Sequence, residues 1–135
     1  MKLLLIEDNL PDALMVIEAI KKESLPVEVY LAEDGEQAIA FIETAKADPS
    51  APVPQALLLD LNIPKIDGLE ILSAIRTNGQ FKEIPVLVVT SSDSAADRGA
   101  VAKFGAGYFR KPTTYHEFVK IGAFLRSFLE QHGLL

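Results

Sequence analysis

The feature that most constrains this chain is the run Leu57, Leu58, Leu59, Asp60, followed within eight residues by Pro64, Asp67 and Gly68. An apolar run of strand length, without polar alternation, reads as a strand buried on both faces. The proline and the Asp-Gly pair then force a turn, and a helical pattern restarts at Leu69. Asp60 is thereby expected at the carboxyl end of a central strand, where open α/β sheets place their ligands. A carboxylate in that position needs a cation or hydrogen bonds to hold it.

The remaining composition narrows the choices. With 135 residues the chain is expected to form one domain, residues 1–135, burying roughly 68% of its unfolded surface. A formal net charge of -6 gives no basic footprint for nucleic acid. Cysteine is absent, and the two histidines, His116 and His132, fall in the last helical segment. That removes disulfides, thiolate metal sites and the usual serine-triad base; both histidines read as solvated helix residues. The opening strand is too short for a signal sequence, and no run approaches the ~18 apolar residues of a membrane span. A cytoplasmic protein without membrane or nucleic-acid partners is expected.

Taken in order, Lys2 to Ile6 is a short strand, and Leu10, Ala13, Leu14, Ile17 and Ile20 recur at helical spacing behind a cap at Asp8 or Asn9. Val27, Val29 and Leu31 alternate as a second strand. Asp34 and Gly35 turn into a helix carrying Ala38, Ile39 and Ile42, and Ala45 to Gln55, with three prolines, reads as a loop. Leu69, Leu72 and Ile75 mark a third helix. Val86 to Val89 is a buried strand, Ser94 to Phe104 a weak alanine-rich helix, Tyr108 to Arg110 a short strand, and Thr114 to Gln131 the final helix. Five strands alternating with five helices predict a doubly wound parallel α/β sheet.

The strands run into Glu7 and Asp8, Asp60, Thr90, and Lys111 respectively. A parallel sheet puts all these ends on one edge, and the order 2-1-3-4-5 places its switch point between the first and third strands. Three carboxylates there would each have a raised pKa unless compensated. A hard divalent cation with oxygen ligands, magnesium above all, is the natural compensation. Thr90 and Lys111 bring a hydroxyl and a positive charge from the other flank, which suits phosphate, with Asp60 the candidate nucleophile.

In order, Glu7 with Asp8, Asp60 with Pro64 and Asp67-Gly68, Thr90, and Lys111-Pro112 resemble the receiver domain of two-component response regulators. The resemblance spans essentially the whole chain and implies the flavodoxin-like fold. It implies that Asp60 accepts a phosphoryl group from a sensor histidine kinase or a phosphotransfer protein, and that the domain catalyses only its own phosphorylation and dephosphorylation. Asp8, Asp60 and the backbone carbonyl of Asn62 would be the Mg2+ ligands, with Glu7 helping through water, and Thr90 and Lys111 would bind the phosphoryl oxygens. Asn62 and Ser92 occupy the positions that tune phosphate loss. Tyr108 matches the aromatic that moves with the threonine, and the bond before Pro112 is expected to be cis. The opening Glu7, Asp8, Asn9, Asp12 and the segment Asp60 to Lys65 resemble regulators paired with phytochrome-type kinases. Thr113 departs from the family, which often has phenylalanine there.

Two further features complete the reading. Phe118, Ile121, Gly122, Leu125 and Leu129 form a core stripe on the last helix, and Val119, Phe124 and Phe128 widen it beyond the ~100° that one-sided packing needs. The wide stripe reads either as a core face partly covered by the fifth strand or as a face for a partner or a second copy, the latter giving a homodimer through the last helix and fifth strand. Competing functions are weaker. A haloacid-dehalogenase-type phosphatase needs an acid two residues after the nucleophile, where Asn62 stands. A nucleotide or flavin binder lacks its glycine-rich loop. The remaining alternative is a degenerate receiver acting as a dimeric scaffold, against which the full acid, threonine and lysine set stands. The chain is expected to be a stand-alone switch without an output domain, signalling through its fourth helix, fifth strand and last helix.

Overall fold

In the computed structural model, which describes residues 1–135, five strands form one parallel sheet in the order β2-β1-β3-β4-β5. These are β1 (Lys2–Ile6), β2 (Glu28–Ala32), β3 (Ala56–Leu59), β4 (Val86–Thr90) and β5 (Gly107–Arg110). The helices between them are α1 (Leu10–Lys22), α2 (Gly35–Ala47), α3 (Gly68–Arg76) and α4 (Ala95–Lys103), followed by α5 (Tyr115–Phe118) and α6 (Ile121–Gln131). The doubly wound order agrees with the sequence-based expectation.

Strand alternation sorts the core into two layers. Leu4, Ile6, Leu57, Leu59, Val86 and Val88 face α2, α3 and α4, packing on Ile42, Ile71, Leu72, Ile75 and Val101. Leu3, Leu5, Leu58, Leu87 and Val89 face α1 and α6, packing on Val16, Ile20, Ile121, Leu125 and Leu129. Burial on both faces explains why β1, β3 and β4 lack polar alternation in sequence. Helix starts are capped by side chains: Asn9 accepts from the amide of Asp12, Asp34 from Gln37, Asp67 from Leu69, Ser94 from Asp97 and Thr114 from Glu117.

Four boundaries and faces differ from the sequence pattern. The loop expected from Ala45 begins at Asp48, because Ala45 is buried and the first helix-breaking proline is Pro49. Leu10 and Leu14, although at helical spacing, are 50% and 57% exposed; Ala13, Val16, Ala19 and Ile20 make the buried face of α1. The small alanines let helices approach closely. A Cβ on Gly122 of α6 would lie 2.7 Å from the Ala19 carbonyl oxygen. The expected final helix is divided at Val119 and Lys120, where the Lys120 amide bonds the Glu117 carbonyl and the Gly122 amide bonds the Val119 carbonyl. This tighter three-residue turn brings Phe118 and Ile121, both buried, onto one side. Finally, no peptide bond is cis, so Lys111–Pro112 is trans, the ordinary isomer of an X–Pro bond.

Candidate functional site

Parallel pairing carries one residue beyond each strand and sets the site. The Glu7 amide donates to the Ala32 carbonyl at 3.0 Å, Asp60 to Ile6 at 3.0 Å and Lys111 to Thr90 at 2.8 Å. Alternation then decides which way each side chain points. Asp60 shares the parity of Leu58, Glu7 that of Leu5, and Lys111 that of Phe109, so all three fall on the α1 and α6 side of the sheet. Thr90 and Tyr108 have the parity of Val88 and Ala106 and fall on the α4 side.

The chemistry converges on Lys111. Its ammonium donates to Glu7 Oε1 at 2.5 Å, to Asp12 Oδ2 at 2.9 Å and to Asp60 Oδ2 at 3.0 Å. The side chains of Lys111, Glu7 and Asp60 are 8%, 3% and 8% exposed. One ammonium thus serves three carboxylates, and Asp8 adds a fourth nearby acid. Burial, with the charge of Asp60, pushes the Glu7 carboxyl up to about 7 against the lowering bond and charge of Lys111. For Lys111, burial alone lowers the pKa. The bonds to Asp12 and Glu7 and the charges of Asp60 and Glu7 outweigh it and hold the lysine above its ordinary value.

The loop after β3 is built closely around Asp60. Asp60 Oδ1 accepts from the Asn62 amide at 3.3 Å, while the Asn62 side chain is exposed. A Cβ on Gly68, at the first turn of α3, would lie 2.5 Å from Leu61 Cα and 2.6 Å from the Asp60 carbonyl oxygen. Only glycine lets α3 begin this close to the end of β3.

Carboxylate oxygens of Glu7, Asp8 and Asp60 lie within 4.8 Å of one another. Hard, anionic oxygen donors at that spacing, with Asp8 open to solvent, fit a divalent cation of the magnesium type. A soft-metal site would need thiolate ligands, and the chain has no cysteine.

Thr90 is fully buried, and its hydroxyl oxygen accepts from the Ser92 amide at 3.3 Å. Ser92 Oγ donates to Asp97 Oδ2 at 2.5 Å, tying it to the first turn of α4. Tyr108 donates its hydroxyl to the Ser92 carbonyl at 2.5 Å, with the Arg98 guanidinium 4.4 Å from its ring centroid. Arg98 and Arg110 both pair with Asp93. Of the residues expected from sequence, Glu7, Asp60 and Lys111 are thus in direct contact, with Asp8 beside them. Asn62 reaches Asp60 through its backbone amide. Thr90, Ser92 and Tyr108 form a second linked group on the α4 side, and Pro112 follows the lysine. The sequence reading assigned Asp12 no place at the lysine. The available signal was its position three residues after the Asn9 cap, since helix side chains lean toward the N-terminus.

A doubly wound sheet whose switch point gathers carboxylates around a lysine defines the class of receiver-fold signalling domains. The chain belongs to the response regulator receiver domain family, whose pattern it matches over residues 3–121. It is 39% identical over 95 residues to the response regulator Rcp1 of Synechocystis, a match covering 70% of this chain and 65% of Rcp1, just under two thirds of that protein. The solved structure of the phosphorylated cyanobacterial phytochrome response regulator RcpA superposes with a TM-score of 0.85 at 31% identity, covering 94% of this chain and 91% of that one. The Mn2+-bound form of Rcp1 gives 0.85 at 34% identity, covering 94% and 92%. Several expectations therefore hold: the fold class, the response-regulator family, and the similarity to regulators of phytochrome systems. No helix is long and apolar enough to cross a membrane.

Proposed function

We propose that this chain is a phosphoacceptor switch in which Asp60 takes a phosphoryl group from a phosphohistidine. The donor would be a sensor histidine kinase, of the phytochrome type by similarity to RcpA, or a phosphotransfer protein. One observation carries the reading: a buried aspartate at the end of β3, 3.0 Å from a lysine ammonium, within a trio of carboxylates spaced for a cation.

Glu7, Asp8, the Asp60 carboxylate and the Asn62 carbonyl would hold Mg2+. When bound, the cation offsets the negative charge that otherwise repels the phosphoryl oxygens. The chain's own residues do the rest. An Asp60 oxygen attacks phosphorus and the P–N bond to the donor imidazole breaks; its electron pair goes to that nitrogen, and the ring, protonated on its other nitrogen, leaves as neutral imidazole. Lys111 supplies positive charge to the phosphoryl oxygens, and Thr90 supplies a hydroxyl donor. Drawing Thr90 inward disturbs the Ser92 turn that its oxygen now accepts from, and with it the Tyr108 contact. The α4, β5 and α6 surface then shifts its population toward a second state. Asn62, whose amide donates to Asp60, and Ser92, in the turn after Thr90, are the residues that by family resemblance would set the phosphorylated lifetime.

The proposed output is contact with a second copy through β5 and α6. Phe124 is 43% exposed, edge-to-face with Phe109 at 5.1 Å, beside a hollow of about 510 Å³ floored by Gly107 and Phe128. The test is covalent mass after incubation with acetyl phosphate, with and without magnesium, beside Asp60→Asn. A magnesium-dependent gain of one phosphoryl group, lost in the variant, is the expected result. No gain with bound magnesium favours the dimeric scaffold.

A further inference from the structure

Asp12 joins the lysine from a different element than the other acids. It sits in the first turn of α1, its amide held at 3.0 Å by the Asn9 side chain, and its carboxylate reaches back to Lys111 Nζ at 2.9 Å. An ammonium has three N–H donors. All three are spent here, on Glu7, Asp12 and Asp60. Following a phosphoryl group outward from Asp60 requires Nζ to leave the point where these carboxylates converge.

The three partners differ in what release costs. Glu7 is 3% exposed, and without the lysine its carboxylate would be a buried, unpaired charge. Asp12 is 23% exposed and can exchange the ammonium for water. It also stands on α1 rather than at a strand end, so its release moves no part of the sheet. Its charge has the same sign as the incoming phosphoryl group and competes for the same cation.

On the phosphoacceptor reading above, we propose that Asp12 is a positioning residue that holds Lys111 back in the unphosphorylated protein and is displaced when the phosphoryl group arrives. The Asp12–Lys111 pair acts as a brake on the switch. Removing the charge frees the lysine and favours the phosphorylated state.

The test uses the full chain as wild type, Asp12→Asn, Asp12→Ala and Asp12→Glu. Beryllofluoride, a phosphoryl mimic, is titrated at saturating magnesium and followed by fluorine NMR. Mn2+ alone is titrated without fluoride by water-proton relaxation. Asp12→Asn and Asp12→Ala are expected to bind beryllofluoride roughly tenfold more tightly than wild type, with Asp12→Glu returning to the wild-type value. Mn2+ affinity is expected to change by less than about threefold, since Asp12 is not among the cation-spaced acids. Equal or weaker beryllofluoride binding in both charge-removing variants overturns the brake. So does a matching rise in Mn2+ affinity, which would mark a general effect on the cation site. A wild type that binds Mn2+ but no beryllofluoride removes the phosphoacceptor reading itself, and this proposal with it.

Discussion

The hydroxyl of Tyr108, on β5, donates to the backbone carbonyl of Ser92, in the turn between β4 and α4, at 2.5 Å. The bond spans sixteen residues of sequence and clasps the edge strand to the start of α4, with Arg98 over the ring and Asp93 bridging Arg98 and Arg110. Tyr108→Phe keeps the ring and removes only the bond. Stability is expected to fall by about 1 kcal/mol. Amide exchange should quicken at residues 91–98 and stay unchanged in β1 and β3. Uniform acceleration across the sheet would show that the bond is not a local clasp.

Glu7 predicts an inverted pH dependence in the metal-free protein. Its folded-state pKa is raised from 4.5 to about 7, burial being the main cause. The folded chain therefore holds this proton more tightly than the unfolded chain. The stability it contributes is full below about pH 4.5 and is lost as pH rises through about 7. Urea midpoints in a chelating buffer should fall across that window, and Glu7→Gln should flatten the fall. An unchanged slope in the variant would assign the effect to other groups.

Gly68 is predicted to tolerate no side chain. A Cβ there meets Leu61 Cα at 2.5 Å and the Asp60 carbonyl oxygen at 2.6 Å, both backbone atoms. Gly68→Ala must push α3 away from the end of β3, with an expected loss of ~1–3 kcal/mol. Mn2+ affinity should fall as well, because the displaced loop carries Asp60 and Asn62. A Cβ on Gly99 would meet nothing outside its own helix backbone within 4 Å, which makes it the internal control. Gly99→Ala should be neutral or slightly stabilising, since alanine is the better helix former.

Phe124 separates folding from association. Its edge-to-face contact with Phe109 is partly solvent-exposed, so Phe124→Glu is expected to cost no more than about 1.5 kcal/mol. Sedimentation of wild type with beryllofluoride and magnesium should show a dimer that the variant lacks. A wild type that stays monomeric at high concentration, with and without the mimic, would exclude self-association through this face.

Much of this molecule was legible in its residues. Buried strands announced themselves in Leu57 to Leu59 and Val86 to Val89, because burial on both faces removes polar alternation. Asp60 and Lys111 were legible because each directly follows a strand, and parallel strands end on a common edge. Leu10 and Leu14 were misleading: their spacing fits a buried stripe, yet α1 turns its alanines to the sheet. Arg76 gave no sequence signal at all, yet its guanidinium bonds the backbone carbonyls of Phe104, Lys82 and Ile84, joining the ends of α3 and α4 to the start of β4.

The sequence by itself determined the strands, their buried faces, the carboxylate that ends β3 and the family these define. Those properties follow from periods of two and of 3.6 residues and from turn chemistry, which act over a few neighbouring positions. Only the tertiary structure decided that Lys111 divides itself among Glu7, Asp12 and Asp60, that Tyr108 grips Ser92, and that Phe124 packs half-exposed on Phe109. The lysine lies 104, 99 and 51 residues from its three partners. Its choice among them is set by the distances between β1, α1, β3 and β5, which every packed residue of the core contributes to fixing.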